Sequence, residues 1–216
     1  MVCSYFSLII KKYHVIIQVT SFRRLYIWGN LSFKQAINEG EINMDKIKVH
    51  KIVNEIKERY AIIGPSVNPI DIANELSINV YEVDNLNANG EKVSGAISHN
   101  DGDIDIYVNA QDTNERKKFT IAHELGHYFL EHLNKNPKMV DLLFRDDNHN
   151  LAKEEKEADE FAGCILMDEK EIRNRYKKAT SIGMTEDTKI SILANIFNVS
   201  KPAMYTRLKN LELIKS

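Results

Sequence analysis

Two histidines four residues apart, His123 and His127, with Glu124 beside the first, form a His-Glu-x-x-His run in a segment that reads as a helix. That spacing constrains the chain more than any other feature. Residues i and i+4 stand one above the other on a helix face. Both imidazoles can therefore reach one tetrahedral zinc at about 2.0–2.1 Å. Glu124 then lies where it can take a proton from an attacking water. The plain alternative is a surface helix that happens to carry two histidines. The flanks argue against it, because Phe119, Ala122, Gly126 and Leu130 recur at helical spacing, as do Ile121, Leu125 and Phe129. Such a helix buries an apolar flank while its histidines face a cleft. Gly126 costs about 1 kcal/mol of helix propensity relative to Ala. Its place between the two histidines implies close packing there, and a crossing helix is the expected neighbour.

That crossing helix is expected to bring the third ligand. Lys153 to Met167 is the next strong helical stretch, and Ala158, Phe161, Ala162, Ile165 and Leu166 mark its buried face. Glu155 falls one turn before Ala158 and Asp159, on the same side, and is the expected ligand. Asp159 would accept the second ring proton of a ligating histidine and fix its tautomer. Glu157, further round the helix, is the alternative ligand. The Glu-x-x-x-Asp-x-Phe arrangement resembles the third-ligand helix of thermolysin-type zinc peptidases. A solvated charged face accounts for Glu154 and Glu160, but not for the position of the run one connection after the histidine pair.

Composition excludes several classes. A chain of 216 residues, 43% hydrophobic and 28% charged, is long enough for one or two small globular domains. A net charge of −2 gives no basic footprint for tight nucleic-acid binding. Cys3 and Cys164 are too few and too far apart for a disulfide framework or a thiolate zinc site. Cys164 falls among apolar positions and reads as a small core residue. A reducing, cytoplasmic location fits.

Residues 1–43 differ from the rest. Leu8-Ile9-Ile10 and Val15-Ile16-Ile17 are interrupted by Lys11, Lys12 and His14, so no run reaches the length of a membrane-spanning helix. No small-residue cleavage site follows a clean apolar core. Asn38 to Met44 is compatible with codons for a bacterial ribosome-binding site ahead of a start codon. Met44 is therefore an expected true start, with 1–43 a translated, poorly packed leader; a native mass spectrum beginning at Met1 would refute this.

From Asp45 the pattern is orderly. Ile47, Val49, Ile52, Val53, Ile56 and Tyr60 give a helical stripe ended by Gly64-Pro65. Pro69 to Leu76 reads as a short helix with Pro in its first turn. The period then changes to two. Asn79–Val83 reads as a strand, and Val93–Ser98 with Ile104–Val108 as a hairpin around Asn100-Asp101-Gly102. Together they predict a small antiparallel sheet before the histidine helix. Its exposed edge could bind an extended peptide by strand addition. Asp84–Lys92 reads as a polar loop, and Asn134–Asn150 as a loop or lid between the two metal helices. His132 and His149 lie near the site in sequence and read more readily as surface histidines than as ligands or oxyanion donors.

The tail carries a second pattern. Asp168 to Glu171 opens a helix with acids in its first turn, favourable to the dipole. Thr188–Phe197 and Pro202–Leu211 are helices separated by Asn198-Val199-Ser200, with Ser200 as a cap. This looks like a helix-turn-helix. Within 185–211, Lys201, Arg207 and Lys209 could reach phosphates, although so few positive charges weigh against autonomous DNA binding. The alternative is a unit that shapes the cleft or holds a protein substrate.

Taken together, the run Arg116…Phe119-Thr120-x-Ala122-His123-Glu124-Leu125-Gly126-His127, the run Glu155-x-x-Ala158-Asp159-x-Phe161-Ala162-x-x-Ile165-Leu166-Met167, and Leu193-Ala194…Phe197-x-Val199-Ser200…Arg207-Leu208 resemble the ImmA/IrrE family of zinc metallopeptidases. The resemblance covers about Lys46 to the C-terminus. It departs where the family often has Asn for Asp159 and Pro for Asp168. Neither departure disturbs the expected metal set of His123, His127 and Glu155. The resemblance implies an α+β fold: a small antiparallel sheet on a zincin-type helical core over 44–178, and a helix-turn-helix-like C-terminal region over 179–216. It implies a Zn2+ endopeptidase with Glu124 as catalytic base, whose substrate is a helix-turn-helix repressor of mobile-element or stress-response genes. Tyr128, His132, His149 and Tyr205 are the candidate oxyanion donors. The rival reading is a regulator that binds a repressor or DNA and whose zinc site is non-catalytic. An intact Glu124 speaks against it, since a structural site needs no base.

Overall fold

A computed structural model describes residues 44–62, 64–88, 91–100, 103–135 and 149–215. The proposed leader, 1–43, and most of the expected lid, 136–148, lie outside the described residues. Helix α1 (Met44–Arg59) buries Val49, Val53 and Ile56, one stripe at helical spacing, while Ile47 stays exposed. Helix α2 (Pro69–Glu75) starts where Asn68 caps the Ile70 amide and Pro69 needs no amide partner.

The sheet corrects one expectation. β1 (Asn79–Val83), β4 (Gly95–Asn100) and β5 (Asp103–Asn109) stand in the order β1-β5-β4. β4 and β5 form the expected antiparallel hairpin, with Asn100 opposite Asp103. β1, however, runs parallel to β5, with Asn79 opposite Asp105 and Val83 opposite Asn109. The sheet is therefore mixed. The cause is the strand order: β4 lies on the far side of β5 from β1, which makes β5 central. A period of two identifies a strand but says nothing about its neighbour's direction. Asp84–Lys92 is also more than a loop, since β2 (Asn87–Ala88) and β3 (Glu91–Lys92) pair within it.

Helix α3 (Asn114–Phe129) begins where Thr113 caps the Arg116 amide. Everything from Thr120 to His127 on it is buried, so it is the central helix. Ile97, Ile106 and Val108 of the sheet and Ile121, Ala122 and Leu125 of α3 belong to one core. Helix α4 (His132–Lys135) is short. Helix α5 (His149–Leu166) packs against both α3 and α1. The expected crossing at Gly126 is present: a Cβ there would stand 3.1 Å from Ala158 Cα and 3.2 Å from Phe161 Cβ.

Helix α6 (Glu169–Ser181) is capped by Asp168, whose side chain accepts from the Glu171 amide. Helix α7 (Glu186–Phe197) ends at Asn198 in the left-handed region, φ 52°, and Ser200 then caps α8 (Lys201–Asn210). Lys118 of α3 donates to the carbonyls of Phe197 and Asn198, which ties the tail to the central helix. Arg207 is not a phosphate reader. It is buried, with its Nε donating to the Met167 carbonyl and its Nη1 3.3 Å from Glu160. No helix among the described residues is long and apolar enough to cross a membrane.

Candidate metal centre

Helices α3 and α5 bring three side chains to one point. His123 and His127 face each other through their Nε2 atoms at 3.0 Å. The Glu155 carboxylate completes the triangle, with Oε2 3.2 Å from His123 Nε2 and Oε1 3.4 Å from His127 Nε2. Tetrahedral zinc with bonds of about 2.0–2.1 Å requires ligand-to-ligand edges of about 3.3 Å. The three edges fall around that value. Glu155 Oε2 is buried without a hydrogen bond of acceptable geometry, although an imidazole nitrogen is within reach.

The outer partners demand the same arrangement. His123 Nδ1 lies 3.0 Å from Asp159 Oδ1. His127 Nδ1 lies 3.0 Å from His132 Nδ1, and His132 Nε2 lies 3.0 Å from Glu157 Oε2. Carboxylates accept only, so His132 donates through Nε2 and accepts through Nδ1 from His127. His123 likewise donates through Nδ1 to Asp159. Both Nε2 atoms are then left with lone pairs facing each other at 3.0 Å, which a cation between them resolves. Without a metal a proton takes that place. Burial drives the His123 pKa down, but hydrogen bonds to Asp159 and Glu155 prevail and lift it to about 10. Burial, then the neighbouring His123 and His132, pushes His127 down to about 2. The residues present thus fit a divalent cation with a borderline-soft, nitrogen-and-oxygen preference.

Residues Ala73 to Lys209 match the family model of the M78 peptidases, described as the IrrE N-terminal-like domain. The chain belongs to this family. Family membership suggests a metallopeptidase, and M78 peptidases are usually zinc-dependent. No curated protein matches the chain. A solved structure called a Mycobacterium tuberculosis transcriptional regulator is similar to it at 17% identity and a TM-score of 0.48, over 77% of this chain and 47% of that one. The chain thus spans about half the length of that regulator, a likeness too low to carry an argument.

In this M78 chain Glu124 is almost wholly buried beside the triangle. It meets the start of β4, where a Cβ on Gly95 would come within 3.0 Å of Glu124 Oε1 and 2.2 Å of Thr120 Cγ2. Glycine is needed there because sheet and helix touch. Among the described residues β4 is an edge strand, and its first residue, Gly95, lies against Glu124.

Two sequence readings are corrected. His132 is no surface histidine: it is fully buried, and both ring nitrogens are engaged, which leaves no N–H for an oxyanion. Glu157, the alternative ligand, holds His132 instead of the metal point. Tyr128 is half-buried, edge-on to Phe129, and Tyr205 stands exposed on α8. His149 opens α5, with its side chain outside the described ones. The turn at Glu131, in the left-handed region at φ 61°, brings His132 back beneath His127. Glycine or asparagine would have signalled such a turn, whereas glutamate does not.

Proposed function

We propose that the protein is a zinc-dependent endopeptidase that cleaves a cognate helix-turn-helix transcriptional repressor in the cytoplasm, relieving repression of mobile-element or stress-response genes. The observation that carries the chemistry is the triangle of His123, His127 and Glu155 at 3.0–3.4 Å, with Glu124 buried beside it. Zinc, when bound there, supplies a Lewis acid that acidifies water and polarises the scissile carbonyl. Glu124 takes the proton of the attacking water and delivers it to the leaving amine nitrogen. Asp159 and His132 hold the two imidazoles in the tautomer that presents Nε2. The edge strand β4 aligns an extended substrate by backbone pairing, which places a scissile amide beside Glu124. Residues 44–178 form the peptidase region, and 179–216 a helical region that holds the protein substrate. The internal use of Arg207 weighs against the rival DNA-binding reading. The repressor as substrate rests on the family resemblance.

The test is a cleavage assay with the full chain loaded with zinc. Its substrates are the helix-turn-helix repressor encoded beside the gene and an unrelated helical protein. Chelator-sensitive cleavage of the repressor alone, at a bond mapped by mass spectrometry, is expected. Retention of the repressor without cleavage, at full zinc occupancy, would overturn the peptidase reading in favour of a binding role.

A further inference from the structure

Helix α5 carries a second group of donors on another face. Glu160 and Cys164 are one turn apart, and across from them stands His50 of α1. His50 Nε2 lies 3.0 Å from Glu160 Oε1, and the Cys164 thiol donates to that same oxygen at 3.3 Å. One donor atom from each of the three residues lies within 4.8 Å of the others. His50 and Glu160 of this group line a cleft of about 260 Å³, together with Lys46, Arg173, Arg207 and Glu212, and Cys164 lies buried behind them. Nothing in the hydrolytic machinery uses it.

We propose that His50, Glu160 and Cys164 form a second, exchangeable metal site for a thiophilic divalent cation, Zn2+ or its mimics Co2+ and Cd2+. Zinc bonds of about 2.3 Å to sulfur and 2.0–2.2 Å to nitrogen or oxygen set ligand edges of about 3.3–3.6 Å. The two edges at Glu160, 3.0 and 3.3 Å, are close to this. A thiolate, an imidazole and a carboxylate together select zinc-like ions over magnesium or calcium. His50 and Glu160 border the cleft, which supplies the entry path such a site needs.

Charge does not forbid the ion. Arg207 Nη1 lies 3.3 Å from Glu160 Oε1, but its Nε is fixed on the Met167 carbonyl, so the guanidinium is a standing partner. A dication entering the site displaces one proton from the His50 imidazolium and one from the Cys164 thiol. The net charge of the group is therefore unchanged. Nor is the trio needed to dock the helices. Lys57 of α1 already holds the Cys164 carbonyl at 3.1 Å and Asp168 at 2.9 Å, and core contacts of Val49, Val53 and Ile56 do the rest. A charged trio adds little that apolar residues would not add better. Its donor chemistry is what distinguishes it. When filled, the site clamps α1 to the helix that also carries Glu155 and Asp159.

The test is an anaerobic Co2+ titration of the full chain, metal-free and reduced. It is run on a Cys3→Ser background so that Cys164 is the remaining thiol. A second equivalent of cobalt with a near-ultraviolet thiolate-to-cobalt band is expected. The band should vanish in Cys164→Ser and in His50→Ala, persist in His123→Ala, and be displaced by zinc. Zinc should also protect Cys164 from a thiol reagent in His123→Ala protein, a readout independent of peptidase activity. Binding of a single equivalent without a thiolate band, a band that survives Cys164→Ser, or an alkylation rate indifferent to zinc would each overturn the proposal.

Discussion

The two donor groups on α5 share a helix and differ in almost everything else. Glu155 and Asp159 serve the α3 side, whereas Glu160 and Cys164 serve the α1 side. The five steps from Glu155 to Glu160 set the two side chains about 140° apart around the helix at 3.6 residues per turn. The α3 group is enclosed: His123 and His127 are buried, and each Nδ1 is held by its own outer partner. The α1 group is open, with the His50 side chain 41% exposed on a cleft and a single oxygen, Glu160 Oε1, shared among three donors. The first is preorganised from outside inwards and has a base beside it. The second has its donors gathered on one shared oxygen, with the imidazole partly exposed. The difference is the one expected between a centre that must hold a reacting geometry and one that binds and releases.

The comparison breaks most readily at Glu155. Glu155→Ala is expected to abolish metal binding at the α3 site and all cleavage, while leaving the cobalt-thiolate band at Cys164. Metal analysis with visible and near-ultraviolet absorption reads both at once, and loss of the band with the cleavage would merge the two groups into one site.

Outer partners come next. Asp159→Ala and His132→Ala should each weaken zinc at the α3 site about 10–100-fold, the usual cost of losing such a support. Competition with a calibrated chelator measures this. An unchanged affinity in His132→Ala would mean that the His127–His132–Glu157 chain packs without orienting.

A smaller effect is expected at the helix crossing. Gly126→Ala improves helix propensity, yet its Cβ would press on the Ala158 backbone at 3.1 Å and on Phe161 at 3.2 Å. We expect a net destabilisation of about 1–3 kcal/mol, typical of overpacking, visible as a lower denaturation midpoint. A stabilised variant would show that α5 shifts freely against α3.

The mildest test is pH, applied to metal-free protein. His50 is raised from 6.5 to about 10, chiefly by its hydrogen bond with Cys164 and then by that with Glu160. Its contribution is complete below pH 6.5 and disappears as pH rises toward 10. Glu160 is lowered from 4.5 to about 2, chiefly by His50, so its contribution is present above pH 4.5 and is lost as pH falls toward 2. The difference in melting temperature between wild type and His50→Ala should therefore be greatest between pH 4.5 and 6.5 and fade on both sides. A difference that grows toward pH 10 would contradict the pairing.

The legible and illegible parts of the chain divide along the same line. The α3 group could be read because its signals are local: His123, Glu124 and His127 lie within one turn, and Glu155 and Asp159 repeat at four. Gly126 announced the crossing. The β4–β5 hairpin, the Pro69 and Asp168 helix starts and the Ser200 cap were equally local. What failed to show was long-range or unmarked. β1 reads as a strand, but its parallel pairing with β5 depends on the placement of β4 on the other side of β5. His132 was hidden by a left-handed glutamate at Glu131. Cys164 reads as a core residue, as its burial requires, and nothing in the sequence places His50, more than a hundred positions earlier, against it. Arg207 looked like a phosphate contact because helix-surface charge is the commoner case, and its use on Met167 and Glu160 depends on how the tail packs on α5.

The most direct test of the central claim is to measure zinc content and turnover on the same preparation of wild type and Glu124→Gln. The exchange removes the base while keeping its size and its place beside Gly95. Full zinc occupancy at His123, His127 and Glu155 is expected in both proteins, with turnover lowered about 10²–10⁴-fold in the variant, the range for loss of a general base. Undiminished turnover in Glu124→Gln at equal zinc would remove Glu124 from the mechanism.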